Sequence, residues 1–138
     1  MEIRQFQPGD EPAVTALWQR CELTRPWNDP QKDVARKLEV QRELFLVGVE
    51  GSTFVAAVMA GYDGHRGSVN YLAVDPAHRR RGHGAALMQR VEAALAERGC
   101  PKINLMVRST NAEVLAFYRK LGYAPDEVVP LGKRLIPD

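Results

Sequence analysis

The sequence predicts a single α/β domain over residues 1–138, with a mixed, mostly antiparallel sheet of about six to seven strands flanked by about four helices. Three observations predict it. Apolar runs of strand length alternate with stripes of helical period along the chain. Glycine and proline punctuate the junctions between them. The composition, 45% hydrophobic and 26% charged over 138 residues, is that of a chain able to bury one core without disulfides or metal.

Residues 3–6 form a short strand that ends at Pro8-Gly9. Asp10 caps a helix in which Pro12 fits the first turn and Val14, Leu17, Trp18 and Cys21 share a stripe. Residues 24–29 form a loop, and Asp29-Pro30 sets the N-cap and first position of a second helix carrying Val34 and Leu38. Apolar runs at 44–49 and 53–60 flank Glu50-Gly51-Ser52 and predict an antiparallel hairpin. Residues 61–67 are a glycine-punctuated loop, and 68–74 a strand stopped by Asp75-Pro76. A long helix over 84–98 places Leu87, Val91 and Leu95 on one stripe, with Gly99 as its C-cap. A strand at 103–107, a helix at 112–121 closed by Gly122, and one or two strands within 128–136 complete the series. No repeat or linker interrupts it.

Net charge is +2 and the pI about 8.7, which suits an anionic ligand and falls far short of a nucleic-acid binder's footprint. Arg79-Arg80-Arg81 with Arg66, Lys133 and Arg134 is basic, but no DNA or RNA motif accompanies it, so no nucleic-acid partner is expected. The N-terminus lacks an apolar signal core and no apolar run approaches about 18 residues, so no membrane partner and a cytoplasmic setting are expected. Cys21 and Cys100 form no CxxC pair and are expected as free thiols. His65, His78 and His83 lack ligand spacing, and no metal is expected.

The most informative segment runs from Leu72-Ala73-Val74 through Asp75-Pro76-Ala77-His78 to Arg79-Arg80-Arg81-Gly82-His83-Gly84-Ala85. A strand enters a glycine-containing turn that opens directly into a long helix. Gly82 and Gly84 let backbone approach a ligand, and spare N–H groups at the helix start attract an anion. A dinucleotide fingerprint would need a third glycine or alanine where Leu87 stands, and a Walker A loop is absent. The second segment, Ser109 to Tyr123, places Asn111 at a strand-to-helix junction, Tyr118 two turns on, and Gly122-Tyr123 at the close.

Arg79-x-x-Gly82-x-Gly84, followed by Asn111 and Tyr118, resembles the two signatures of the GNAT superfamily of N-acetyltransferases. The resemblance follows element order along the whole chain, although the motifs cover only about residues 72–84 and 111–123. Leu131-Gly132-Lys133-Arg134-Leu135, with the loops at 25–30 and 61–67, resembles the small YpeA-type bacterial subgroup. The resemblance implies a GNAT fold with acetyl-coenzyme A as co-substrate. Residues Arg79, Arg80, Arg81, Gly82, His83, Gly84 and Ala85 would hold its pyrophosphate. Leu72, Ala73 and Val74, on a strand that usually bulges in the family, would meet pantetheine and the thioester carbonyl. Asn111 would bond the pantetheine arm, and the Tyr118 phenol would protonate the leaving thiolate. A catalytically silent sensor of coenzyme A or acetyl-coenzyme A is the alternative, and a homodimer is an assembly common among relatives.

The resemblance implies a primary amine as acceptor, on a small molecule or a peptide or protein, which must be neutral to attack. Asp63, His65 or the Tyr71 hydroxyl, in that order, is expected to handle its proton. Asp63-Gly64 is also a good turn dipeptide. Trp27, Asn28, Tyr62, His65 and Tyr71 are the acceptor-binding candidates. Trp27 either stacks on substrate or anchors its loop.

Overall fold

The computed structural model describes residues 1–138 throughout. Its first strand, β1 (Glu2–Gln5), pairs antiparallel with β2 (Phe45–Glu50), so the chain's start lies beside the first strand of the hairpin. β2 pairs antiparallel with β3 (Thr53–Tyr62), and β3 with β4 (Gly67–Val74), while β5 (Ile103–Leu105) closes the order β1-β2-β3-β4-β5. β2 and β3 are almost continuously apolar because both of their faces are covered.

The four helices begin where local chemistry requires. α1 (Glu11–Arg20) follows Asp10, but the Asp10 carboxylate turns back, accepting from the Gln7 N–H at 2.9 Å. It is also gripped by both terminal guanidinium nitrogens of Arg4, at 2.7 and 3.1 Å. Asp10 therefore stabilises the turn before the helix rather than capping α1 with its side chain. α2 (Pro30–Leu38) follows the expected pattern, with Asp29 accepting from Gln31 N–H at 2.9 Å. α3 (His83–Glu97) starts from left-handed Gly82, and α4 (Ala112–Lys120) from Asn111, whose Oδ1 accepts from Val114 N–H at 3.2 Å.

By its internal contacts the chain divides into two compact units, residues 1–104 with 138, and residues 105–137. In the first, Val14, Leu17 and Trp18 of α1 and Val34 of α2 cluster with Phe6, Phe45, Val47, Ala57 and Ala73. Aromatic rings run through this cluster as a ladder: Phe6 stacks on Phe45 at 4.2 Å, Phe45 faces Trp18 at 6.1 Å, and Trp18 stacks on Tyr71 at 3.9 Å. Leu87, Met88, Val91 and Leu95 bury the other apolar helical face, on α3.

The second unit holds α4, in which Tyr118 meets Phe117 and Tyr123 edge-on at 5.0 and 5.5 Å. Its tail carries no strand, so the sheet has five strands rather than six to seven. Pro130 lacks an N–H for a ladder, Gly132 weakens extended structure, and Lys133-Arg134 break the alternation. Val128, Val129, Leu131 and Leu135 are accordingly exposed, Leu131 at 92%. The strand foreseen at 103–107 likewise stops at Leu105.

Candidate functional site: a bulged strand feeding an anion-binding turn

β4 is bulged. Ala73 pairs with Ala57 and Asn70 with Met59, which sets Tyr71 and Leu72 against the single residue Val58. Tyr71 takes φ +54°, a left-handed conformation rare for a bulky side chain. A bulge leaves one residue's polar groups out of the ladder, just before Ala73 and Val74.

Beyond β4 a network fixes the turn. Asp75 N–H donates to Val55 O at 2.8 Å, and Asp75 Oδ1 accepts from Ala77 N–H at 2.9 Å. Asp75 Oδ2 accepts from Arg20 Nε and Nη2 at 3.1 and 2.8 Å. The Ala77 amide foremost, and then Arg20, hold the Asp75 carboxyl below the usual carboxylate range. Val74 O accepts from Arg79 Nε at 3.0 Å and from the Cys21 thiol at 3.3 Å. Burial pushes that thiol's pKa up, and both cysteines are free. Glu50 at the end of β2 reaches two rings: Oε1 lies 3.1 Å from His83 Nε2, and Oε2 lies 3.9 Å from His78 Nε2.

Within this frame Arg80 and Gly82 both take positive φ, +64° and +79°, and curl the backbone. A Cβ added at Gly82 would project into open space. The first helical bond runs from Ala86 N–H to Gly82 O at 3.0 Å, so the amides of His83, Gly84 and Ala85 are the spare donors of the helix end. Arg80 and Arg81 are exposed beside them. Spare amides, a helix dipole and two solvated guanidiniums concentrate positive potential at this turn. Arg79 contributes differently, since its Nε is committed to Val74 O.

Around α2, Tyr71 donates its hydroxyl proton to Asp33 Oδ2 at 2.6 Å. Burial and then the Asp33 bond push the phenol's pKa up. Asp33 Oδ1 also accepts from Arg36 Nη1 at 3.3 Å, and Arg36 Nη2 donates to Asp138 Oδ1 at 2.7 Å. Asp138 Oδ2 accepts from Asp29 N–H at 2.8 Å. Trp27 is 52% exposed in the loop before α2, which favours a contact surface over an anchor, and Asn28 N–H closes that loop on Arg25 O at 3.1 Å.

Tyr62, Asp63 and His65 lie elsewhere, at the turn between β3 and β4. Asp63 Oδ1 accepts from His65 and Arg66 N–H, both at 2.7 Å. These amides, Arg66 first, hold the carboxyl below its usual range and make it a weaker base. The Tyr62 backbone is clamped on both sides by the Gln41 amide at 2.8 Å, and its hydroxyl donates to Gly64 O at 3.3 Å. From Gly67 to Leu72 the strand advances about 16 Å, so this turn stands far from the bulge.

In the second unit Asn111 spends its Oδ1 on the α4 cap, leaving its NH2 group as donor. Tyr118 is 8% exposed, and burial pushes its phenol up to about 12. No group of three or more His, Cys, Asp or Glu side chains is arranged to hold a metal ion. No helix is long and apolar enough to cross a membrane. Sequence reasoning missed Arg20, Glu50 and Asp33, all of which act on partners remote in the chain.

Residues 12–123 match the acetyltransferase (GNAT) family. An acetyltransferase of Yersinia pestis (strain Pestoides F) is 53% identical over 138 residues, covering 100% of this chain and 98% of its own length. Ard1 from Thermoplasma volcanium aligns structurally with a TM-score of 0.78 at 28% identity, covering 89% of this chain and 82% of its own. The ribosomal-protein-S18-alanine N-acetyltransferase from Escherichia coli aligns with a TM-score of 0.73 at 26% identity, covering 88% and 76%.

Proposed function

The chain belongs to the acetyltransferase (GNAT) family, and from that premise we propose that it transfers the acetyl group of acetyl-coenzyme A to a primary amine by direct attack in a ternary complex. The observation that carries this reading is the turn at 79–85, whose spare amides and exposed Arg80 and Arg81 fit the co-substrate's pyrophosphate.

The bulged strand supports the rest. Its unpaired backbone beside Leu72, Ala73 and Val74 serves the pantetheine arm and the thioester carbonyl, where negative charge develops on oxygen during attack. Asn111 adds its NH2 group as donor to the pantetheine amides. Tyr118, protonated at every physiological pH, donates to the thiolate that leaves. The thiol formed has an ordinary pKa of about 8.5, and a poorly solvated thiolate is more basic than that, which narrows the gap to the phenol. Trp27 and Asn28, in the loop leading to α2, line the acceptor side.

Calorimetry with acetyl-coenzyme A tests the reading. The wild-type chain should bind in the micromolar range, and Gly82→Glu, which sets a carboxylate where the pyrophosphate belongs, should abolish the heat while circular dichroism stays unchanged. Equal binding by both would remove the turn from the site. Absence of binding by the wild type would sink the proposal.

A further inference from the structure

The geometry points to Asp33, reached through the Tyr71 hydroxyl, as the group that takes the proton from the attacking amine, and hence to a strongly basic alkyl amine as the acceptor. This assignment rests on the acetyltransferase reading above.

Four observations converge on the pair. The Tyr71 hydroxyl donates to Asp33 Oδ2 at 2.6 Å, a short charge-assisted bond. The ring is held flat against Trp18 at 3.9 Å and 15°. Its backbone takes φ +54°, a conformation that a large side chain keeps only when its surroundings impose it. It also directly precedes Leu72 in the bulge, between the strand that serves the co-substrate and the helix next to the acceptor loop. Asp63, by contrast, is tied to two turn amides at the far end of β4.

The phenol passes a proton rather than losing one. Burial, Asp33, Asp138 and Asp29 all oppose a free tyrosinate. The charged groups acting on it are Asp29, Asp33 and Asp138, with Arg36 bridging Asp33 to Asp138, and α1 presents the neutral Trp18 ring. In the step, a proton of the ammonium moves to Tyr71 Oη as the phenolic proton moves to Asp33 Oδ2. The freed lone pair forms the C–N bond, the C–S bond breaks, and its electron pair leaves on sulfur. The nitrogen gives up two protons in all: one reaches solvent from Asp33, and the other balances the proton that sulfur receives. Such a relay serves an amine that needs it. At pH 7 an alkyl amine of pKa about 10.4 is neutral in only about one molecule in a few thousand, an α-amine in about one in ten.

The test compares wild type, Asp33→Asn and Tyr71→Phe, each saturated with acetyl-coenzyme A at pH 7. The probes are n-butylamine, strongly basic, and aminoacetonitrile, weakly basic. Both variants should lower the butylamine rate about 100-fold and the aminoacetonitrile rate by less than about threefold. Calorimetric affinity for acetyl-coenzyme A should stay close to wild type, while the melting temperature should fall by a few degrees with the lost hydrogen bond. Tyr71→Phe keeps the stacked ring and decides the matter if Asp33→Asn folds poorly. Any pattern without selective loss on butylamine overturns the relay, as does a wild type that binds acetyl-coenzyme A yet fails to accelerate butylamine. A wild type that does not bind acetyl-coenzyme A overturns the acetyltransferase reading itself.

Discussion

Glu50 Oε1 stands 3.1 Å from His83 Nε2, so the last residue of β2 reaches the first residue of α3. The His83 side chain is 11% exposed, and Glu50 is the charged partner it meets in the protein. The approach falls outside hydrogen-bond geometry, yet it sets the end of β2 against the helix end whose amides are proposed to meet the pyrophosphate. Together with the grip of Arg20, at the end of α1, on Asp75, it ties the turn to β2 on one flank and to α1 on the other.

Glu50→Ala should therefore weaken acetyl-coenzyme A binding without unfolding the chain. A partly exposed polar contact of this kind contributes at most about 1 kcal/mol, so the dissociation constant should rise by no more than about fivefold. Calorimetry beside a melting curve checks this, and an unchanged constant would mean that the turn holds its shape without the contact.

Acid should destabilise the fold in part through Asp10. The Arg4 hydrogen bond first, and the Gln7 amide after it, depress this carboxyl's folded pKa. A group depressed on folding contributes stability above its unfolded value, near 3.9, and that stability is lost as pH falls through the folded value. Asp10→Asn should lose about 1–3 kcal/mol at pH 7 and show a flatter melting-temperature curve below pH 4. Parallel acid limbs for wild type and variant would deny the assignment. Asp75, depressed by other donors, keeps some acid sensitivity in the variant.

Much of this arrangement is legible in the sequence because it is local. The Asp29-Pro30 start of α2, the hairpin around Gly51 and the strand-turn-helix at 74–84 each depend on residues within a few positions of one another. The tail at 128–136 misleads for the opposite reason: its apolar content suggests strands, but Pro130 and Gly132 deny it a ladder. Asp10 misleads by half, since its position before α1 is right while Arg4 and Gln7 claim its oxygens. The Tyr71–Asp33 bond joins residues 38 apart, and no spacing rule reaches that far. Tyr71 was therefore visible as a candidate and Asp33 was not.

Asp63→Asn should leave turnover within about twofold of wild type, since a general base would cost 10²-fold or more on removal. An asparagine Oδ1 can still accept the His65 and Arg66 amides, so the turn should persist. Steady-state rates with a responsive amine check this. A loss of 100-fold would restore Asp63 as the proton acceptor and displace the Tyr71–Asp33 pair.

Tyr118→Phe should lower kcat about 100-fold while acetyl-coenzyme A affinity changes little, because the proton is needed only as the C–S bond breaks. The ring contacts with Phe117 and Tyr123 survive the change, so the melting temperature should hold. The pH profile gives a second readout. With the phenol pushed up to about 12 by burial, Tyr118 stays protonated through pH 10, and wild-type kcat should show no alkaline fall below that point from this group. A fall near pH 9 that disappears in Tyr118→Phe would place its folded pKa far lower while keeping it as the acid, whereas a Tyr118→Phe kcat within about twofold of wild type would mean that the proton comes from solvent rather than from the phenol.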